Sequence, residues 1–115
     1  MKCYYAHCQS IYDTPQEKRD IEILEALGFE VINPNLPEHQ KECKTFHNPM
    51  AYFERLAKSC NVLAFRALQD GNIGAGVVQE IKCFEGLIIE LPSRILQRGL
   101  TVEQTREYLR EVGQR

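Results

Sequence analysis

Four short apolar runs, separated by stretches with helical signatures, constrain this chain more than any other feature. KCYYA (2–6), FEVI (29–32), NVLAF (61–65) and LIIEL (87–91) are too short for core helices and are rich in β-branched or aromatic residues. They read as buried strands. Between the first two, TPQE at 14–17 supplies a cap in Thr14, a first helical residue in Pro15 and a capping box in Glu17. Ile21, Leu24 and Leu27 then form an apolar stripe, and Gly28 can end the helix in the left-handed conformation. Asn48-Pro49 starts a further helix that turns Met50, Phe53, Leu56 and Ala57 inward. The intervening segment 33–47 is polar and proline-bearing, and is expected to be a long loop of the kind used as lids or binding loops. Another helix should follow the loop at 66–76, and a last one should occupy 101–113, with Thr101 and Gln104 as its capping box, Leu109 and Val112 as its stripe and Gly113 as its stop.

Strands alternating with helices imply a parallel sheet covered on both faces. The expected fold is α/β, a flavodoxin- or Rossmann-like three-layer sandwich on a four- to five-stranded parallel sheet, forming one domain over residues 1–115. Such sheets bind ligands at the carboxyl ends of their strands, near the switch in strand order. Loops 7–13, 33–47 and 66–76 converge there.

Composition narrows the partners. A net charge of −2 with no basic block argues against a nucleic-acid polymer or an anionic membrane surface. No run reaches the length of a membrane span, and the N-terminus carries no secretory pattern. The five cysteines are odd in number and lack a CxxC pair, so reduced thiols in a cytoplasmic protein are expected.

The stretch DGNIGAGVVQEI (70–81) carries the chemistry. A dinucleotide fingerprint fails here, because Val77, Val78 and Gln79 follow Gly76 and the loop follows the third strand rather than the first. Two readings stay open: an anion site at a helix start, or a tight strand-to-helix connection that needs glycines for its geometry. Glu80 lies in the first turns of that helix, whose dipole favours an ionised carboxylate beside the crevice mouth. It is either a nucleophile for an anomeric carbon or a solvated helical side chain.

YYAHC, TPQEKRDIEILEALGFEVINP and CNVLAFRALQDGNIGAGVVQEI together resemble the nucleoside deoxyribosyltransferase superfamily, which also contains deoxynucleoside-monophosphate N-hydrolases. The likeness runs from residue 1 to about residue 91, and its sharpest part is the spacing from Gly76 to Glu80. It implies cleavage or transfer at the N-glycosidic bond of a nucleoside or nucleotide, without a cofactor or metal. Glu80 would be the nucleophile, forming a glycosyl-enzyme ester, and Tyr4 would orient its carboxylate. Ala6 matches the small residue after that tyrosine, and Asp70 would contact the sugar or the departing base. Gly71, Asn72, Gly74, Ala75, Gly76 and Val77 would line the substrate loop, with backbone amides from Gly74 to Val77 holding a hydroxyl or a 5'-phosphate. The resemblance also implies a homo-oligomer such as a dimer. Departures are visible: His7-Cys8 stands where the family has Gly-Pro, and the acidic residue before the glycine pair is replaced by Asn72, Ile73 or Gly74. These departures favour an alternative, a catalytically silent nucleotide-binding or nucleotide-sensing module of the same fold.

Other residues have two readings. His7, at the end of the first strand, is either an acid–base group or a histidine satisfied by a backbone carbonyl. Arg66, directly after the third strand, is the better phosphate candidate; Arg94 and Arg98 are others. His39, Cys43 and His47 repeat at i, i+4, i+8, but flanking prolines and the want of a fourth ligand make them lid residues rather than a metal site. Cys3, Cys60 and Cys83 read as small core residues.

Overall fold

The computed structural model describes residues 1–92, together with Val102 and Arg106, both helical. The rest of the helix expected at 101–113 lies outside the described residues, as do Arg94 and Arg98. Among the described residues, four strands form one all-parallel sheet: β1 (Lys2–Ala6), β2 (Glu30–Ile32), β3 (Val62–Phe65) and β4 (Leu87–Glu90), in the order β2-β1-β3-β4. The helices are α1 (Pro15–Ala26), α2 (Pro37–Glu42), α3 (Pro49–Lys58) and α4 (Ala75–Cys83). Among the described residues, no helix is long and apolar enough to cross a membrane.

Period-two alternation splits β1 between two cores. Tyr4 and Ala6 point to one face, where Leu63, Ala57, Val77 and Phe84 pack beneath α3 and α4. Cys3 and Tyr5 point to the other, with Val62, Ala64 and Leu24 of α1. The sandwich is thus three-layered, with α1 on one face and α3 and α4 on the opposite face. Connections that leave β1 in one direction and β3 in the other must lie on opposite faces if both are right-handed. The reversal of direction falls between β1 and β3, whose register pairs Ala6 with Phe65. Their carboxyl ends therefore open the switch-point crevice.

Local chemistry explains the helix starts. Thr14 accepts from the Glu17 amide at 3.3 Å, and Asn48 accepts from the Met50 amide at 3.1 Å. The α1 capping box is only half formed, because the Glu17 carboxylate turns to the Asp13 amide and to His7 instead of returning to Thr14. Leu27, expected in the apolar stripe, is 63% exposed beyond the end of α1, while Leu24 is fully buried.

The segment 33–47 departs from the loop expectation. It contains α2 and a 3-10 turn, Cys43–Thr45. Pro37 fits the first helical position, where no amide is needed, and Glu38 favours the positive end of the short helix. His39 Nδ1 meets the Tyr52 hydroxyl at 2.7 Å and Arg55 lies over the Phe46 ring, so the segment is pinned to α3. No set of three or more metal-ligating side chains is grouped among the described residues. All five cysteines are free; Cys3 and Cys60 are buried as expected, whereas Cys83 is half-buried.

Candidate active site

Glu80 projects from α4 toward β1, and its carboxylate accepts a hydrogen bond from the Tyr4 hydroxyl. Both side chains are buried, Tyr4 at 0% exposure and Glu80 at 6%. The geometry follows from the pleat and the helix period. Tyr4 faces α4 from the middle of β1, and Glu80 lies three residues after the core residue Val77, on the same side of the helix. Glu80 is therefore not a solvated side chain at the mouth, and it is not held fully ionised by the helix dipole. Burial raises its pKa to about 7, the Tyr4 hydroxyl opposing the rise and the Glu54 carboxylate adding to it. The Tyr4 phenol is pushed well above its ordinary value by burial and by Glu80.

The glycines before Glu80 have separate reasons. Gly71 stands at φ 87, in the left-handed region, within a turn where its amide donates to the Leu68 carbonyl. Gly74 caps α4 in an extended conformation open to any residue, but a Cβ there would drive into Cys8 Sγ. A Cβ on Gly76 would meet only Met50 Sδ, at an ordinary 3.6 Å. What comes close to the loop from within the chain is thus the Cys8 thiol. Gly74→Ala is expected to destabilise the fold by about 1–3 kcal/mol through overpacking. Adding Cys8→Ala should restore stability in the same urea titration. A Gly74→Ala protein as stable as its parent would contradict that contact.

Asp70 is exposed, and its carboxylate accepts from the Asn72 amide at 3.0 Å and the Asn72 side chain at 2.9 Å. This local turn holds Asn72 and Asp70 together, and Ala75, Gly76 and Val77 form the first turn of α4. Ala6 is fully buried under that turn's core contacts.

Arg66 is not the phosphate ligand that its position suggests. It is 6% exposed, and it donates to Asp20 through Nε at 2.9 Å and Nη2 at 2.5 Å, with Nη1 on the Pro92 carbonyl. The Tyr5 hydroxyl and the Gln16 amide also donate to Asp20. Arg66 is consumed by a buried carboxylate 46 residues away, on the α1 face of the sheet.

His7 lies on that same face. Its Nδ1 meets the Tyr5 carbonyl at 2.9 Å, and its Nε2 meets Glu17 Oε2 at 2.7 Å. Of the two readings of His7, the carbonyl contact matches the histidine satisfied by the backbone. Both ring nitrogens are occupied and the side chain has no exposure, so it cannot reach a leaving base. Burial lowers its pKa below the usual 6.5, with Glu17 and the Tyr5 carbonyl pulling the other way.

Two groups at this end of the sheet escape a sequence reading. Glu17 reads as a helix cap but serves as a hub, accepting from the Asp13 amide and the Asn35 side chain besides its contact with His7. Tyr12 has no motif around it, yet its ring meets the His7 ring at 4.9 Å, and burial, with Glu80 and Glu17 adding to it, pushes its phenol up to about 12. No family model, curated protein or solved structure matches the chain.

Proposed function

We propose that the chain cleaves or transfers at the N-glycosidic bond of a nucleoside or deoxynucleotide, with Glu80 as the nucleophile. The observation that carries this reading is the buried Tyr4–Glu80 pair at the switch point, a carboxylate whose pKa near 7 lets it ionise at neutral pH. A Glu80 oxygen attacks the anomeric carbon, the C–N bond breaks, and its electron pair leaves with the base, which takes up a proton. The developing oxocarbenium character is stabilised by the adjacent carboxylate. Water or a second base then opens the glycosyl ester and frees Glu80. Tyr4 keeps one carboxylate oxygen bonded, leaving the other for attack.

Chromatography of free base tests the proposal, using nucleosides, deoxynucleoside monophosphates and NAD, with and without a second base. Release by the parent and none by Glu80→Ala is expected; release that persists in Glu80→Ala contradicts it. Activity should rise with pH around a midpoint near 7, the value set by Glu80. Tyr4→Phe removes the hydrogen bond that lowers this pKa, so the midpoint should move upward. Below it, each unit of displacement lowers the rate about tenfold. An unmoved midpoint would assign the titration to another group.

A second reading is the silent nucleotide-binding module. His7 closed by Glu17 and the Tyr5 carbonyl, and Asp70 engaged by Asn72, favour it, because neither offers a free acid to the leaving base. A nucleotide-dependent thermal shift without base release would select this module.

A further inference from the structure

β1 carries two consecutive tyrosines whose hydroxyls go to different helices. Tyr4 donates to Glu80 of α4 on one face of the sheet, and Tyr5 donates to Asp20 Oδ2 of α1 at 2.5 Å on the other. Both pairs are buried. The strand that lies between β2 and β3 is thus gripped from each side by a helical carboxylate.

The α1 side is the more heavily built. Asp20 also receives the Arg66 guanidinium at 2.9 and 2.5 Å and the Gln16 amide at 2.8 Å. Arg66 in turn donates to the Pro92 carbonyl, so one carboxylate reaches the exits of β3 and β4. Glu17, three residues earlier on the same side of α1, holds His7 at 2.7 Å and accepts from Asn35, beyond β2. The His7 ring stacks on Tyr5, with centroids 3.7 Å apart and planes within 6°. Tyr5 is therefore fixed at its hydroxyl by Asp20 and over its ring by the imidazole that Glu17 holds. Among the described residues, no buried polar side-chain atom lacks a partner, and a fully satisfied network rigidifies what it joins. Stability alone does not account for this layer, since an apolar pair is often as stable as a buried ion pair. On the opposite face, Tyr4 is the one side chain among the described residues that hydrogen-bonds the Glu80 carboxylate. Reactive groups must be held within about 0.5 Å of their working geometry, and locked neighbouring side chains supply that precision.

We propose that Tyr5 and Asp20 are positioning residues for the Glu80 site: Asp20 holds Tyr5, and with it β1, at the place where Tyr4 meets the Glu80 carboxylate. Their part in the reaction rests on the glycosidic reading, whereas their effect on the Tyr4–Glu80 contact does not.

Glutamate labelled with carbon-13 at Cδ, in the full chain, reports the ionisation of Glu80 by NMR, with Glu80→Gln assigning its signal. Tyr5→Phe removes one hydroxyl and leaves the Asp20–Arg66 pair in place. It should move the Glu80 midpoint upward, in the direction of Tyr4→Phe, because a displaced Tyr4 favours the ionised carboxylate less. Glu54, the other charge acting on Glu80, is untouched. With a nucleoside that the parent cleaves, kcat should fall about tenfold at unchanged KM, the order expected for a displacement below 1 Å. Asp20→Leu with Arg66→Met should give the same two changes in a protein whose urea midpoint stays close to the parent's, which a merely structural role would not do. An unmoved Glu80 midpoint in both variants overturns the inference, and so does a moved midpoint with kcat intact. A midpoint that moves in both, where the parent releases no base from any nucleoside, upholds the hold on Tyr4 and overturns the glycosidic reading instead.

Discussion

Glu80→Gln is expected to remove base release altogether and, at pH 8, to make the protein more stable. Burial raises the Glu80 pKa from 4.5 to about 7, so between these values the folded chain holds a proton that the unfolded chain has released. The stabilisation from that bound proton is complete below pH 4.5 and is lost as pH rises through 7. Above 7 the ionised carboxylate costs the fold on the order of 3 kcal/mol, at about 1.4 kcal/mol per pKa unit. A neutral amide avoids that cost. It can still accept from Tyr4, although its own N–H groups need partners, which reduces the gain to about 1–3 kcal/mol. At pH 4 the advantage should vanish. Paired urea titrations at pH 4 and pH 8 measure it, and equal stability of the two proteins at pH 8 would show that the carboxylate is not desolvated. A site that raises rather than lowers the energy of the folded state is what a nucleophile poised for an electrophilic carbon requires.

Asp20→Ala should have the largest effect on stability, a loss of about 3–5 kcal/mol, because it leaves the Arg66 guanidinium buried without its partner. The Tyr5 hydroxyl would lose its acceptor in the same step. The double variant Asp20→Leu with Arg66→Met removes both charges, and it should recover most of the loss, since an apolar pair of similar volume is often as stable as a buried ion pair. Urea denaturation reads both. The double variant also decides the role of Arg66 in binding: nucleotide-dependent thermal shifts should survive in it. Their disappearance would return Arg66 to the ligand site, and a loss below about 1 kcal/mol in Asp20→Ala would mean the pair is solvated.

The layers of this fold are legible in the sequence because they depend on local signals. KCYYA reads as a buried strand and forms β1, and Thr14-Pro15 and Asn48-Pro49 mark helix starts that the caps at Thr14 and Asn48 bear out. Val77, Ile81 and Phe84 pack in one core at helical spacing. The helix in 33–47 is harder to read, because six residues with no apolar stripe carry almost no periodic signal and are held by His39–Tyr52 and Arg55–Phe46 contacts instead.

At the site, long-range pairing defeats local reading. Arg66 directly follows a strand end and so invites a phosphate, but nothing near it in sequence announces Asp20. Glu17 fits a capping box at the right spacing, and only the folded chain brings His7 and Asn35 to its carboxylate. Gly74 reads as a ligand cradle because a sequence shows the missing side chain but not the Cys8 thiol that fills the space. Glu80 itself is visible through its spacing from Gly76. Its ionisation is not, because the helix start favours the charged form by about 0.3–1 kcal/mol while full burial opposes it by several-fold more.

The most direct test of the central proposal is to trap the covalent intermediate. Acid quenching of the protein during turnover of a nucleoside that it cleaves, followed by proteolysis and mass spectrometry, should find the added mass of one sugar on the peptide carrying Glu80. The adduct should be absent from Glu80→Gln. Base release at an undiminished rate in Glu80→Gln, with no sugar on that peptide in the parent, would contradict the proposed nucleophile.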